Sequence, residues 1–142
     1  MENYYYFNFY KNKNILITGG LGFIGSNLAI KLSELGAKIT IVDNMLTDHG
    51  GNLFNIEPIK DKVQVNISDI ISKDSMNYLV QDKDIIFHLG GQVSHVISLE
   101  NPYPDIEINV IGTAALMEAC KKYQPDAKVI YGSTRGVYGT VH

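Results

Sequence analysis

The chain has 142 residues, 45% of them hydrophobic and 19% charged, with 12 Lys and Arg against 15 Asp and Glu for a net charge of −3 at pH 7. That length suits one domain able to bury about two-thirds of its unfolded surface, and the composition excludes wholesale disorder. The basic residues form no run, which argues against nucleic acid and anionic membrane as partners; no apolar run reaches the roughly 18 residues of a membrane span.

The first ten residues carry Tyr4, Tyr5, Tyr6, Phe7, Phe9 and Tyr10, an aromatic leader expected to pack on the rim of the sheet. With Glu2 ahead of aromatics, the start lacks the basic and aliphatic pattern of a secretory signal, so a soluble cytoplasmic protein is expected. Asn14-Ile15-Leu16-Ile17 is a short apolar run that stops at Thr18-Gly19-Gly20, as a buried parallel strand does. Ile24, Leu28, Leu32 and Leu35 make a helical stripe that ends at Gly36. Residues 38–42 form a second strand ending at Asp43, and 63–65 a third, followed by Asp69. The loop from Asn44 to Asn55 is expected to be exposed, with His49 solvated. Met76, Leu79 and Val80 predict a helix before a fourth strand over 84–89. Pro102 and Pro104 mark the start of a long helix reaching Cys120, and 128–131 is a fifth strand. Cys120, the only cysteine, cannot form an internal disulfide and reads as a small packed residue. Asn66-Ile67-Ser68 fits a glycosylation sequon by chance.

Strands alternating with helices across short connections predict an α/β fold: a Rossmann-type doubly wound parallel sheet in the order 3-2-1-4-5, filling residues 1–142 as one unit. The ligand crevice of such a sheet opens where strands one and four diverge. Gly19, Gly22 and Gly25 lie between the first strand and the first helix, with Gly20 offering an alternative G-x-G-x-x-G register. A pyrophosphate needs residues without side chains at such a turn, and gains from the N–H groups of the helix that starts there. Asp43 follows Gly25 by 18 residues at the end of the second strand. Its carboxylate can accept hydrogen bonds from an adenosine ribose and repels a 2′-phosphate, so NAD is expected in preference to NADP. No metal site is expected.

The segment TGGLGFIGSNL (18–28), with Phe23 and Ile24 inside it, resembles the opening of the extended short-chain dehydrogenase/reductase family. The likeness is to its NAD-dependent sugar-nucleotide epimerases and dehydratases, of the CDP-tyvelose 2-epimerase and UDP-glucose 4-epimerase kind. Val42-Asp43-Asn44 is similar to that family's ribose-binding strand end, and Asp69-Ile70 to its adenine-side pair. His88-Leu89-Gly90-Gly91-Gln92-Val93 resembles the stretch under the nicotinamide half, usually HLAAQV or HLAGQV. Asn109-Val110-Ile111-Gly112-Thr113 resembles the NVxGT helix segment, and Ser133 to Gly139 the SSxxVYG segment. The resemblance implies cofactor contacts at all these segments, with Leu89, Gly90, Gly91, Gln92, Asn109 and Ser133 among them. It gives Thr134 the role of binding the sugar hydroxyl that is oxidised.

Arg135, the only arginine, could pair with a substrate oxygen or phosphate or lie at the surface; His95 could face the sugar or serve the loop. The family's catalytic base is the Tyr of a Tyr-x-x-x-Lys helix, and none of the nine tyrosines here has a lysine four residues later. The resemblance therefore covers the N-terminal cofactor portion and lacks the catalytic pair and the substrate-binding portion. It implies an NAD cofactor and a nucleotide-sugar substrate in the complete enzyme, with a homodimer or a missing C-terminal half as partner. A non-catalytic NAD-binding module and one half of a split enzyme are the alternatives.

Overall fold

A computed structural model of the chain describes residues 2–47 and 49–139, without the side chains of residues 2–4 and 135. Five parallel strands, β1 (Asn14–Thr18), β2 (Lys38–Asp43), β3 (Val63–Ile67), β4 (Ile85–His88) and β5 (Lys128–Tyr131), lie in the order β3-β2-β1-β4-β5. This is the expected doubly wound order, with β1 at the centre, where Ile15 pairs with Ile39 on one side and Ile85 on the other.

Successive strand residues point to opposite faces, and each face has its own core. Leu16, Val42 and Ile86 pack against Met76 and Leu79 of α3 (Lys73–Leu79) and Leu116, Ala119 and Cys120 of α6 (Thr113–Tyr123). Ile15, Ile17, Ile39, Ile41 and Ile85 pack against Ala29 and Leu32 of α2 (Phe23–Glu34) and against Ile56 and Ile59. The last two belong to a 3-10 segment, Leu53–Ile59, where the sequence suggests only loop up to Asn55.

Several elements differ from expectation for identifiable reasons. The leader is a helix, α1 (Glu2–Tyr10), with Tyr10 half-buried and Tyr5 and Tyr6 exposed, so only part of it packs on the rim. In α2 the buried positions are Gly25, Ser26, Ala29 and Leu32; Ile24 is 68% exposed, because small residues let the helix approach the sheet closely. The long helix is preceded by α4 (His95–Glu100) and divided: α5 (Tyr103–Asp105) runs into a π-type segment, Ile106–Gly112, before α6. Gly36 does end α2, at φ +78°, the left-handed conformation that favours glycine.

The fold also gathers charge that is scattered in the sequence. Lys13, Lys38, Lys62, Lys83 and Lys128 stand at or within two residues of the starts of the five strands, all on one edge of the sheet. Folded, the chain exposes 9405 Å², against about 7300 Å² for a compact monomer of its mass. Exposed apolar residues on β5 and along the α4–α6 stretch, such as Tyr131, Leu99, Tyr103 and Val110, contribute to that excess. Among the described residues, no helix is long and apolar enough to cross a membrane.

Candidate functional site

At the opposite edge, where the strands end, a cleft of about 440 Å³ opens over β1 and its neighbours. Its first wall is the turn from β1 into α2. Gly19 has φ +66°, and a Cβ there would sit 2.8 Å from Gly90 Cα, so the segments leaving β1 and β4 can approach this closely only with glycine at that position. A Cβ on Gly25 would lie 2.3 Å from Gly19 O, so this glycine seats the helix on its own turn. Gly22 is different: its Cβ would touch only Gly19 O, at 3.4 Å, an ordinary contact. Among the described residues nothing excludes a Cβ at Gly22, which itself lines the cleft. Gly20 packs on Ile41, which accounts for it without the alternative register.

Gly22 is also the N-cap of α2 and supplies no side-chain cap. The N–H groups of Phe23, Ile24 and Gly25, which line the cleft, therefore have no acceptor within the helix. None of the described residues lining the cleft is Lys or Arg, so charge compensation for a bound anion falls to these N–H groups and the helix dipole.

Asp43 closes the second wall. One carboxylate oxygen accepts from Leu21 N–H (3.0 Å) and the other from Met45 N–H (2.9 Å), tying the glycine turn to the loop after β2. Each oxygen retains acceptor capacity, and Asp43 lines the cleft. Asn44 and Ile70 line it as well, whereas Asp69 stands behind: it accepts from Asn44 Nδ2 (2.7 Å) and from Ile71 N–H (3.0 Å). Leu46, His49 and Gly51 join this wall although sequence reasoning missed them. His49 is exposed and bonded through Nδ1 to Thr47 O (2.9 Å), but it faces the cleft and is not merely solvated. The paired glycines after it were the available signal, since a Cβ on Gly51 would lie 3.0 Å from Asp43 Oδ1.

Leu89, Gly90 and Gly91 form the floor beyond β4, and Ser133 with Gly132 the far lip beyond β5. Gln92 and Asn109 do not line the cleft. Asn109 Oδ1 accepts from Gln92 N–H (2.8 Å), and its Nδ2 donates to Gln92 O (3.0 Å). The pair holds the backbone of the floor from behind. Thr134 lies outside the lining too; its exposed hydroxyl accepts from Gly136 N–H (3.2 Å) and caps the 3-10 turn Arg135–Tyr138. His95 is the exposed first residue of α4, also outside the lining, and the Arg135 side chain lies outside the described residues.

Beneath the floor His88 is 1% exposed between Thr18 and Thr113, and burial holds its imidazole below the ordinary pKa of 6.5. Cys120 is buried, and burial pushes its thiol up, as suits a packed side chain.

The family model for GDP-mannose 4,6 dehydratase matches residues 16–142. A putative UDP-glucose 4-epimerase of Methanocaldococcus jannaschii is 39% identical over 126 residues, which span 88% of this chain and 39% of the relative. The CDP-paratose 2-epimerase of Salmonella typhi is 40% identical over 131 residues, 88% of this chain and 38% of the relative. The crystal structure of Thermus thermophilus UDP-glucose 4-epimerase, a complex with NAD, superposes with TM-score 0.75 at 30% identity, covering 85% of this chain and 37% of that one. The chain thus spans about two-fifths of the length of these relatives.

Proposed function

Because the chain belongs to the GDP-mannose 4,6 dehydratase family, we propose that it forms the NAD-binding part of a nucleotide-sugar epimerase or dehydratase. The observation that carries this reading is Gly22, a glycine that the protein's own packing does not require, at the mouth of a helix whose first N–H groups open on the cleft. A pyrophosphate fits that space and those donors. Asp43 would accept from the adenosine ribose hydroxyls, with Asn44 and Ile70 flanking the adenine. Leu89, Gly90 and Gly91 would support the nicotinamide half, and Ser133 its far side.

Bound NAD would supply a hydride acceptor and donor for a sugar carbon. Thr134, one residue beyond the lip, would offer a hydroxyl to the sugar after leaving its cap on Gly136. The family's Tyr-x-x-x-Lys pair is not among these 142 residues, so this reading assigns the chain cofactor binding and gives no residue in it the task of removing the sugar hydroxyl proton. Titration calorimetry with NAD⁺ and NADP⁺ tests the reading. Binding of NAD⁺ with NADP⁺ at least about tenfold weaker, from a 2′-phosphate placed against Asp43, is expected. Equal affinities, or no binding of either, would overturn it.

A further inference from the structure

The floor of the cleft has an unusual mechanical problem. Gly90 and Gly91 carry no side chains, so between Leu89, which packs on the core, and Gln92, whose side chain bonds Ser94 and Ser98, the floor is held through its backbone. Two supports do this. Thr18 Oγ1 accepts from Leu89 N–H (3.1 Å) and Gly90 N–H (2.9 Å), and Asn109 clasps both the N–H and the carbonyl of Gln92. The supports belong to different elements, β1 and the π-type segment.

One side chain joins them. His88 Nδ1 lies 2.7 Å from Thr18 Oγ1, and Nε2 lies 2.9 Å from Thr113 Oγ1. The far end of the chain of hydrogen bonds sets its direction. The Thr113 hydroxyl donates to Asn109 O (2.7 Å), a carbonyl that can only accept, so its oxygen accepts from Nε2–H. In the neutral ring that burial favours, Nδ1 is then left as an acceptor, and Thr18 Oγ1 donates to it. Thr18 Oγ1 in turn accepts from Gly90 N–H and shares Leu89 N–H with the Thr18 carbonyl (3.2 Å).

From this geometry we propose that His88 and Thr113 are positioning residues. Their directed bridge from Thr18 to Asn109 sets the height and tilt of the 89–92 floor against which the nicotinamide half lies. This deepens the reading that the cleft binds NAD and rests on it. An apolar residue at His88 would fill the same space, but would leave the supports unlinked and the Thr18 proton without an acceptor. The ring that packs on His88, Tyr131 of β5, lies 5.6 Å away between centroids and does not enter the bridge.

The test uses the 142-residue chain and Thr113→Val, a change of nearly equal volume that removes the acceptor for Nε2–H and the donor to Asn109. Thr113→Ser is the rescue and His88→Asn a second break. Long-range ¹H–¹⁵N spectra should show the Nε2–H tautomer in the unmodified chain. Amide exchange at Leu89, Gly90 and Gln92 should quicken in Thr113→Val and in His88→Asn while β2 and β3 keep their protection. NAD⁺ affinity should fall about tenfold in Thr113→Val, the scale of one unsatisfied buried donor, and recover in Thr113→Ser. An Nδ1–H tautomer overturns the bridge. Unchanged exchange at the floor overturns it too, as does protection lost uniformly across the sheet, which a merely structural role would give. If the unmodified chain binds no NAD⁺, the cofactor reading fails while tautomer and exchange still decide the bridge. If it binds and Thr113→Val binds equally well, the positioning role alone fails.

Discussion

Replacing Gly22 with Val separates a glycine kept for a ligand from one kept for the fold. The residue has φ −74° and ψ 176°, an extended conformation open to any amino acid, and its Cβ would meet only Gly19 O at 3.4 Å. The expected loss of stability is therefore that of a poorer N-cap, about 1 kcal/mol, or roughly 4 °C in Tm for a domain of this size. The isopropyl group would occupy the space proposed for the pyrophosphate, and NAD⁺ affinity should fall at least about tenfold, some 1.4 kcal/mol. Gly25→Ala is the contrast. Its Cβ would stand 2.3 Å from Gly19 O and 2.7 Å from Gly20 Cα, both backbone atoms, so the turn itself must move. That change should cost about 1–3 kcal/mol or more. Thermal melts and calorimetry on the two variants decide the matter. A Gly22→Val protein that binds NAD⁺ normally, or melts as low as Gly25→Ala, would show that this glycine serves the fold and not a ligand.

Asp43→Ala should narrow the preference for NAD⁺ over NADP⁺ and also loosen the loop after β2. The Leu21 and Met45 N–H groups lose their acceptor, so amide exchange at both should quicken alongside the calorimetric change. For pH, burial lowers the folded His88 pKa below 6.5, so on acidification the unfolded chain takes up its proton first. The stability from this group is complete above pH 6.5 and declines as pH falls through the folded value. Denaturant melts should show that decline in the unmodified chain and a smaller one in His88→Asn; equal declines would remove His88 as the cause. The outer edge of β5, where Ile130 and Tyr131 are 42% and 57% exposed, should pair with other chains. Sedimentation should show mass rising with concentration and Ile130→Lys reducing the rise, whereas a monomer throughout would count against an adhesive edge.

The sheet was legible because buried parallel strands are uninterrupted apolar runs. Residues 14–17, 38–42 and 128–131 each fall within the observed strands, and their alternation with helical stripes gives the order around β1. That the glycine turn and Asp43 share one wall was legible for the same local reason: each stands directly after a strand, and the parallel order sets those two strand ends side by side. What escaped depends on contacts between distant segments. Ile24 fits a helical stripe, yet Gly25, Ser26 and Ala29 let the helix sit close to the sheet and turn Ile24 toward the cleft. The π-type segment leaves no mark in an apolar pattern of period 3.6. Gln92 and Asn109 read as cofactor contacts because they stand in motifs beside the cleft. Their partners, each other's backbone and side-chain groups 17 residues apart, appear only on folding. Likewise no run of sequence places five lysines on one edge, since their alignment exists only once the strands are in register.

On the proposed function a dinucleotide lies across the ends of β1, β2 and β4 with its pyrophosphate on the start of α2. Backbone amide NMR during a titration with NAD⁺ maps that placement residue by residue. The amides of Gly22, Phe23, Ile24 and Gly25 should shift together with those of Asn44 and Gly90. Residues around Lys13, Asp84 and Lys128 at the opposite edge should stay still. Shifts confined to that lysine-bearing edge, or none at Phe23 and Ile24 when NAD⁺ is in excess, would place the dinucleotide elsewhere or nowhere on this domain.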